Sequence, residues 1–427
     1  MAINYTEFHR QKEPILIGRY PIPNSWTWRS LGEHAQVSGG FGFPKEQQGK
    51  LGLPYPFIKV SDMNTIDGEM RITSAANTID DKIAGLLKLQ IFPENTIIFP
   101  KIGGAIATNK KRLLGYRATF DNNVMGVVTD QLLDHKWLLY YLLSIDLMDL
   151  AHIGPVPSIR QSAVQGMPIP LPYPDDPTRS LAEQRRIVAR IEALFAELRE
   201  CRHLHGEIVK DTGRLMDAVL AEVFENLAHE HNLAETNQVC ISITDGNHIT
   251  PQYVDSGIPF LFVSNIVHRY IDFEGTKFVT PEYYETISPS RKPEMGDILY
   301  SVVGSYGVPV EVDTERPFCF QRHIGIFKPD RKKINPSFLR WILDCPQVLD
   351  QAHKVVTGSA QKTLTLTHLR KLKFPYPKDV NTQKAVANHI QAFNDEVREM
   401  KKTQDEDTGF LKDMEQAILA QAFRGEL

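Results

Sequence analysis

Apolar residues recur at helical spacing in two distant parts of the chain. Ile187, Ile191, Leu194 and Leu198 follow at intervals of four, three and four, and Val386, Ile390, Phe393 and Val397 repeat those intervals. Such an a/d seam belongs to a helix that buries a narrow stripe against a partner helix. The likeness extends past the stripe. EQRRIVARIEALFAELRE from Glu183 aligns without a gap to TQKAVANHIQAFNDEVRE from Thr382, and LMDAVLAEVF from Leu215 aligns to MEQAILAQAF from Met414, at a constant offset of 199 residues. Gln184/Gln383, Ile191/Ile390, Leu220/Leu419 and Phe224/Phe423 are among the identical pairs. A loop would tolerate insertions over about forty residues, so the gapless register marks a duplicated rod. A rod of about 45 residues measures roughly 65 Å. Both seams weaken at equivalent places, Cys201–Gly213 and Met400–Lys412, and recover at Leu215/Val219 and Met414/Ile418. One chain buries two such seams most simply by laying the rods side by side and antiparallel. Two helices lying separately on their own domains is the alternative.

Upstream of each rod the pattern changes to short β-branched and aromatic runs cut by glycine and asparagine, the signature of strands. PYPFIKVSDMN (Pro54–Asn64) is matched by IPFLFVSNI (Ile258–Ile266), and PENTIIFPKIGGAIAT (Pro93–Thr108) by EMGDILYSVVGSYGVPV (Glu294–Val310). Helical stretches are expected at about Asp134–Leu150 and Pro336–Ala352. A proline cluster, Pro168–Pro177 or Phe374–Asp379, precedes each rod and reads as a rigid strap. Ser180-Leu-Ala-Glu183 has the form of a capping box, and Asp379 that of an N-cap. The fold class is therefore α+β: two mixed α/β domains separated by two long helices that form an antiparallel coiled coil with pseudo-two-fold symmetry. The expected boundaries are 1–177 for the first domain, 178–230 for the first long helix, 231–378 for the second domain and 379–427 for the second long helix.

Composition narrows the class without naming a function. The 427 residues exceed what one core accommodates, and 42% hydrophobic with 23% charged residues is ordinary for a globular protein. No apolar run reaches the roughly 18 residues of a membrane span. The first residues, MAINYTEFHRQKEP, lack the pattern of a secretory signal, so the expected location is the cytoplasm. Cys201, Cys240, Cys319 and Cys345 form no C-x-x-C pair, which argues against a disulfide framework or a zinc site. The net charge of −4 does not advertise a nucleic-acid partner, although a local basic surface can work on an acidic chain.

Catalytic signatures are absent: no phosphate-binding loop, no G-x-S-x-G elbow, no H-E-x-x-H. Asn335-Pro-Ser-Phe338 superficially resembles the N-P-P-[YF] motif of amino-methyltransferases. It lacks the second proline and a glycine-rich cofactor loop, and reads as a helix start. No catalytic residue, metal ligand or cofactor site is assigned to the chain. Charge does gather locally. Between Asp350 and Asp379 no acid occurs, while Lys354, Lys362, Arg370, Lys371, Lys373 and Lys378 are all basic. That stretch holds Thr357-Gly-Ser359-Ala-Gln361-Lys362, which mixes donors suited to phosphate oxygens and base edges. The corresponding Leu150–Pro174 is also free of acid and carries Ser158, Arg160 and Gln161. A further cluster, Lys101 with Lys110, Lys111 and Arg112, flanks Gly103-Gly104. The candidate DNA-binding residues are thus Lys101, Lys110, Lys111, Arg112, Ser158, Arg160, Gln161, Lys354, Ser359, Gln361, Lys362 and Arg370.

At these residues the chain resembles the specificity subunits of type I restriction–modification enzymes. The carriers are EQRRIVARIEALF, the terminal AILAQAFRGEL, ITDGNHITPQYVDSGIPFLFVSNI (Ile243–Ile266), GFGFPKEQQG followed by PFIKVSDMN, and PNSWTWRSLGE (Pro23–Glu33). The resemblance covers nearly the whole length. It implies two target-recognition domains, each reading one half of a split, asymmetric sequence in double-stranded DNA, and rods that set the gap between the halves. It also implies docking faces for two modification (methyltransferase) subunits and, through them, two restriction (translocase and nuclease) subunits, with no role at a membrane. Those partners would carry S-adenosylmethionine, ATP and Mg, and this chain would bind none of them. Asp245-Gly246-Asn247-His248 has no close sequence match in the first half. A self-contained methyltransferase or nuclease, and a scaffold with duplicated helices, are the alternatives.

Overall fold

The computed structural model describes residues 20–64, 66–67, 70–152, 154–356 and 363–427. The chain forms two compact units. One takes the chain up to Leu204 together with Asp407–Leu427, and the other takes His205–Glu406. Each unit thus holds one domain, the start of the helix that follows it, and the end of the other long helix.

In the first unit the strands are β1 (Trp26–Ser30), β2 (Ala35–Gly39), β3 (Tyr55–Ile58), β4 (Arg71–Ile72), β5 (Thr78–Ile79), β6 (Ile97–Pro100), β7 (Arg112–Leu114), β8 (Thr119–Phe120), β9 (Val124–Thr129), β10 (Ala151–His152), β11 (Ser158–Ile159) and β12 (Pro168–Pro172). The helices are α1 (Asp81–Leu86), α2 (His135–Leu143), α3 (Gln161–Gln165) and the long α4 (Pro177–Glu230). Five strands form the main sheet in the order β2-β9-β6-β7-β4, and β5-β3-β8 form a smaller one. The central strands of the main sheet, β9 and β6, are nearly unbroken apolar runs, as burial on both faces requires. Of the helical stretch expected from Asp134, only α2 and a 3-10 turn at Leu147–Leu150 form. Asp134 caps α2 by accepting from the amides of Lys136 and Trp137 at 2.9 and 3.1 Å. The proline strap is itself a strand: β12 pairs antiparallel with β1, Trp26 opposite Pro172 and Ser30 opposite Pro168.

The second unit repeats this plan. Its strands are β13 (Leu233–Glu235), β14 (Cys240–Asp245), β15 (Ile258–Leu261), β16 (Lys277–Val279), β17 (Ile298–Ser301), β18 (Pro309–Glu311), β19 (Cys319–Phe320), β20 (Ile324–Pro329) and β21 (Lys373–Pro375). Its helices are α5 (Thr236–Val239), α6 (Pro281–Glu285), α7 (Pro336–Leu343), α8 (Pro346–Val355), α9 (Leu366–Leu369) and the long α10 (Val380–Phe423). The main sheet runs β14-β20-β17-β18, the smaller one β16-β15-β19, and β13 pairs with β21. The sequence kinship of the two PF-containing runs is therefore structural. Phe57 and Ile58 of β3 lie parallel to Thr119 and Phe120, just as Phe260 and Leu261 of β15 lie parallel to Cys319 and Phe320.

The long helices pair antiparallel within each unit. In the first, Arg186 donates to the Leu427 carbonyl at 2.8 Å, and Arg202 to the Leu411 carbonyl and to Glu415 at 3.0 Å each. One helix ascends while the other descends. In the second, Gln404 donates to the Thr212 hydroxyl at 2.7 Å, a buried polar pair where both apolar seams weaken. Ile187 and Ile191 are fully buried, Leu198 is buried and Leu194 half-buried; Ile390 and Val397 are buried, Val386 and Phe393 half-buried. The seam does not face a helix alone. Ile187, Ile191, Leu419, Ala422 and Phe423 share one core with the sheet and α2 of the first domain. Phe423 sits edge-on to Trp137 and Tyr141, with ring centroids 4.7 and 5.2 Å apart.

The first long helix does not start as a capping box. It begins at Pro177, whose fixed φ suits the first helical position, and Asp176 accepts from the Arg179 amide at 3.0 Å. Ser180 already lies inside the helix, its amide bonded to the Asp176 carbonyl at 2.8 Å, and Glu183 pairs with Arg186 instead. At the second helix Asp379 accepts from the Asn381 and Thr382 amides at 3.2 and 3.1 Å. Among the described residues no helix is long and apolar enough to cross a membrane.

Candidate nucleic-acid interface

Each domain hangs from its long helix by a duplicated glutamine. Gln184 is fully buried; its side-chain oxygen accepts from the Asp134 amide at 2.8 Å, and its nitrogen donates to the Leu132 carbonyl and the Ser180 hydroxyl at 3.1 Å each. Gln383 is equally buried; it accepts from the Asn335 amide at 2.7 Å and donates to the carbonyls of Lys333 and Pro377 at 2.9 and 2.7 Å. Both clamps grip the segment that leaves the central strand, β9 or β20. The opposite end of that strand lies about 20 Å away at ~3.3 Å per residue. That end, the one away from the clamp, is the free end.

What gathers at the free end is the same in both domains, backbone bond for backbone bond. A tight turn joins β8 to β9 (residues 121–123) and β19 to β20 (321–323). Asp121 donates its amide to the Ile58 carbonyl at 2.9 Å, and Gln321 to Leu261 at 3.0 Å. Gly40 donates to the Val124 carbonyl at 3.0 Å, and Gly246 to Ile324 at 3.1 Å. Lys101 donates to the Asn123 carbonyl at 2.8 Å, and Val302 to His323 at 3.0 Å. The Ile159 amide closes on the Lys101 carbonyl and the Leu364 amide on Val302, each at 2.9 Å. Gly40 and Gly246 are required there. A Cβ on Gly40 would overlap the carbonyls of Phe120 and Asp121, and one on Gly246 those of Phe320 and Gln321. The counterpart of Asp245-Gly246-Asn247 is thus Gly39-Gly40-Phe41, a correspondence of backbone that the side chains conceal.

Several candidate residues converge on this end. Lys101 follows β6, with its ammonium beside Gly39. Gly103 donates to the Pro157 carbonyl at 2.8 Å, and Ile102 bridges Ser158, so the Gly103-Gly104 loop and the acid-free 150–174 segment meet. Ser158 is half-buried in β11, Arg160 is exposed, and Gln161 donates to the Val37 carbonyl at 2.8 Å. In the second domain His353 accepts from or donates to the Tyr306 hydroxyl at 2.5 Å, which brings exposed Lys354 to the loop after β17. Ser359, Gln361 and Lys362 lie outside the described residues; Thr363, next in the chain, bridges Val303 at this same end.

The basic run 110–112 behaves differently. Lys111, just before β7, points inward, where it is fully buried and donates to Asn109 at 2.6 Å and the Ile145 carbonyl at 2.8 Å. Burial pushes its pKa down to about 7, against a smaller upward pull from Asp146. Lys111 cannot meet a phosphate from that position, and the expectation fails for it. Half-buried Arg112 spends its guanidinium on the Met63 and Lys111 carbonyls at 3.0 and 2.8 Å. Lys110 reaches Asn64 at 2.5 Å from a partly exposed position. Arg370, although exposed, donates to the Ile243 carbonyl at 2.8 Å and braces β14.

The turn residues themselves were not singled out from sequence. Asn122 and Arg322 occupy the outermost turn position and are exposed. Asp121 holds the first turn by accepting from the Asn123 amide at 2.9 Å, and burial raises its carboxyl pKa. Half-buried His323 has its pKa lowered by burial and then by Arg322. The available signal was a polar triplet, Asp-Asn-Asn or Gln-Arg-His, between a phenylalanine-ended run and a β-branched one. Among the described residues no group of His, Cys, Asp and Glu is arranged to hold a metal ion.

Residues 23–204 and 255–406 match the family model of the type I restriction modification DNA specificity domain. The specificity subunit of the type I restriction enzyme EcoBI from Escherichia coli is 27% identical over 177 residues, 41% of this chain and 36% of that protein. The match thus spans about a third of that relative's length. Among solved structures, a chain from work on complex assembly and conformational transition of the type I R-M system superposes with a TM-score of 0.68 at 22% identity, covering 96% of this chain and 100% of that one. The HsdS subunit from Thermoanaerobacter tengcongensis gives 0.62 at 22% identity, with 96% and 99% covered. These likenesses carry the fold.

Proposed function

The chain belongs to the type I restriction modification DNA specificity family, and we propose that it reads a bipartite, asymmetric site in double-stranded DNA with the free sheet ends of its two domains. The observation that carries this reading is the twice-built turn: five backbone relations coincide, while the side chains they display differ. A fixed frame with variable polar side chains is what base readout requires, because geometry selects the contact and the side chain selects the base. Lys101, Lys110, Arg160 and Lys354 serve at these ends as phosphate contacts, with Ser158 and Gln161 as further contacts. The two long helices act as a ruler, since a helical pair holds a spacing that a flexible linker would blur.

The same helices offer two related faces for two modification subunits, which recruit restriction subunits. S-adenosylmethionine, ATP and Mg belong to those partners. This chain contributes recognition and no chemistry. The test uses the purified chain with and without its modification subunits. The complex is expected to shift one DNA sequence from a random pool and to methylate it. The isolated chain is expected to transfer no methyl group. Methylation by the chain alone, or assembly without sequence preference, would overturn the reading in favour of an enzyme or a scaffold.

A further inference from the structure

Resting on that reading, we infer that Asn122 and Arg322 are specificity-determining residues of the two domains, Asn122 for an adenine in one half-site and Arg322 for a guanine in the other. The two residues sit at equivalent turn positions, between Asp121/Gln321 and Asn123/His323, whose backbones are tied to β3/β15 and to the segments after β6/β17. Gly40 and Gly246 close against the turns so tightly that neither can shift to admit a side chain. The position is therefore rigid while its side chain is exposed. Among the described residues neither side chain has a hydrogen-bond or ion-pair partner, unlike Arg112 and Arg370, which are spent on backbone carbonyls.

The chemistry then assigns the base. A carboxamide matches the N6 donor and N7 acceptor of adenine, and a guanidinium matches the O6 and N7 acceptors of guanine. Neighbouring charge agrees. Arg322 stands beside His323, whose pKa it helps to lower, whereas Asn122 stands beside Asp121, which would repel phosphate but tolerates an adenine amino group. The unlike side chains at one backbone position explain how one fold, used twice, reads two different half-sites.

The experiment compares the full complex carrying wild-type chain, Asn122→Ala or Arg322→Ala, and maps the methylated sequences. For Arg322→Ala the requirement for one G·C pair in one half-site is expected to relax by about ten- to a hundredfold, with the other half-site unchanged. Asn122→Ala is expected to relax one A·T pair in the opposite half-site. The salt dependence of binding is expected to stay constant in both. Variants that keep both half-sites intact, while the wild type yields a bipartite motif, would overturn the inference and leave the proposed function standing. So would a uniform loss of affinity with the salt slope reduced by about one, which marks a phosphate contact. A wild-type complex without any bipartite motif would overturn both.

Discussion

Lys111 sits among residues that read as a basic surface, yet among the described residues of its domain it is the most buried lysine or arginine. Its ordinary pKa of 10.5 falls to about 7 in the fold. Between those values the unfolded chain holds a proton that the folded chain has shed. Unfolding then takes up a proton, and stability rises with pH across that window. Below about pH 7 both states are protonated and the dependence from this group vanishes. The melting temperature of the wild type is expected to rise from pH 7 to 9 relative to Lys111→Met. Equal pH slopes would contradict the placement. The comparison stops at pH 9 because burial pushes the Cys240 and Cys319 thiols up to about 12, which lowers stability at higher pH. Lys111 also marks what a sequence cannot say. Lys110, Lys111 and Arg112 look alike in a row, but Lys111 alone is fully buried, and only its bond to the Ile145 carbonyl, 34 residues on, reveals which.

At the scale of elements, the duplicated helix was the most legible feature, because a seam spaced four, three and four has one regular solution. The burial of Ile187, Ile191, Leu198, Ile390 and Val397 follows that stripe. Its start was misread at Ser180 because Pro177 and Asp176 form a competing helix start one turn earlier, and the serine hydroxyl serves Gln184 instead. Gln184 and Gln383 were visible only as an identical pair. Their clamps join side chain to backbone across 50 and 48 residues, beyond the reach of local patterning. Gln184→Leu leaves the half-buried Asp134 amide and Leu132 carbonyl without the partner that Gln184 supplies. The loss is expected to be about 1–3 kcal/mol, read by denaturant unfolding of the first unit. Gln383→Leu is expected to do the same to the second unit. Unchanged midpoints would show that water or neighbouring groups replace the clamp.

For the molecule as a whole, the proposed recognition rests on repetition. Two domains diverged in sequence keep the same order over four strands of the main sheet, the same glycine against the same turn and the same glutamine at the start of the long helix that follows. What they do not keep is the side chain at the tip. That contrast was hidden in the sequence, where Asp-Gly-Asn-His had no visible partner, since a backbone equivalence leaves no trace once every flanking residue has changed. The most direct measurement is the genome-wide map of methylated adenines in cells with and without this chain. One motif is expected to depend on it, made of two unlike half-sites separated by a single fixed gap. A continuous or palindromic motif, or an unchanged map, would contradict the assignment of two separate reading ends.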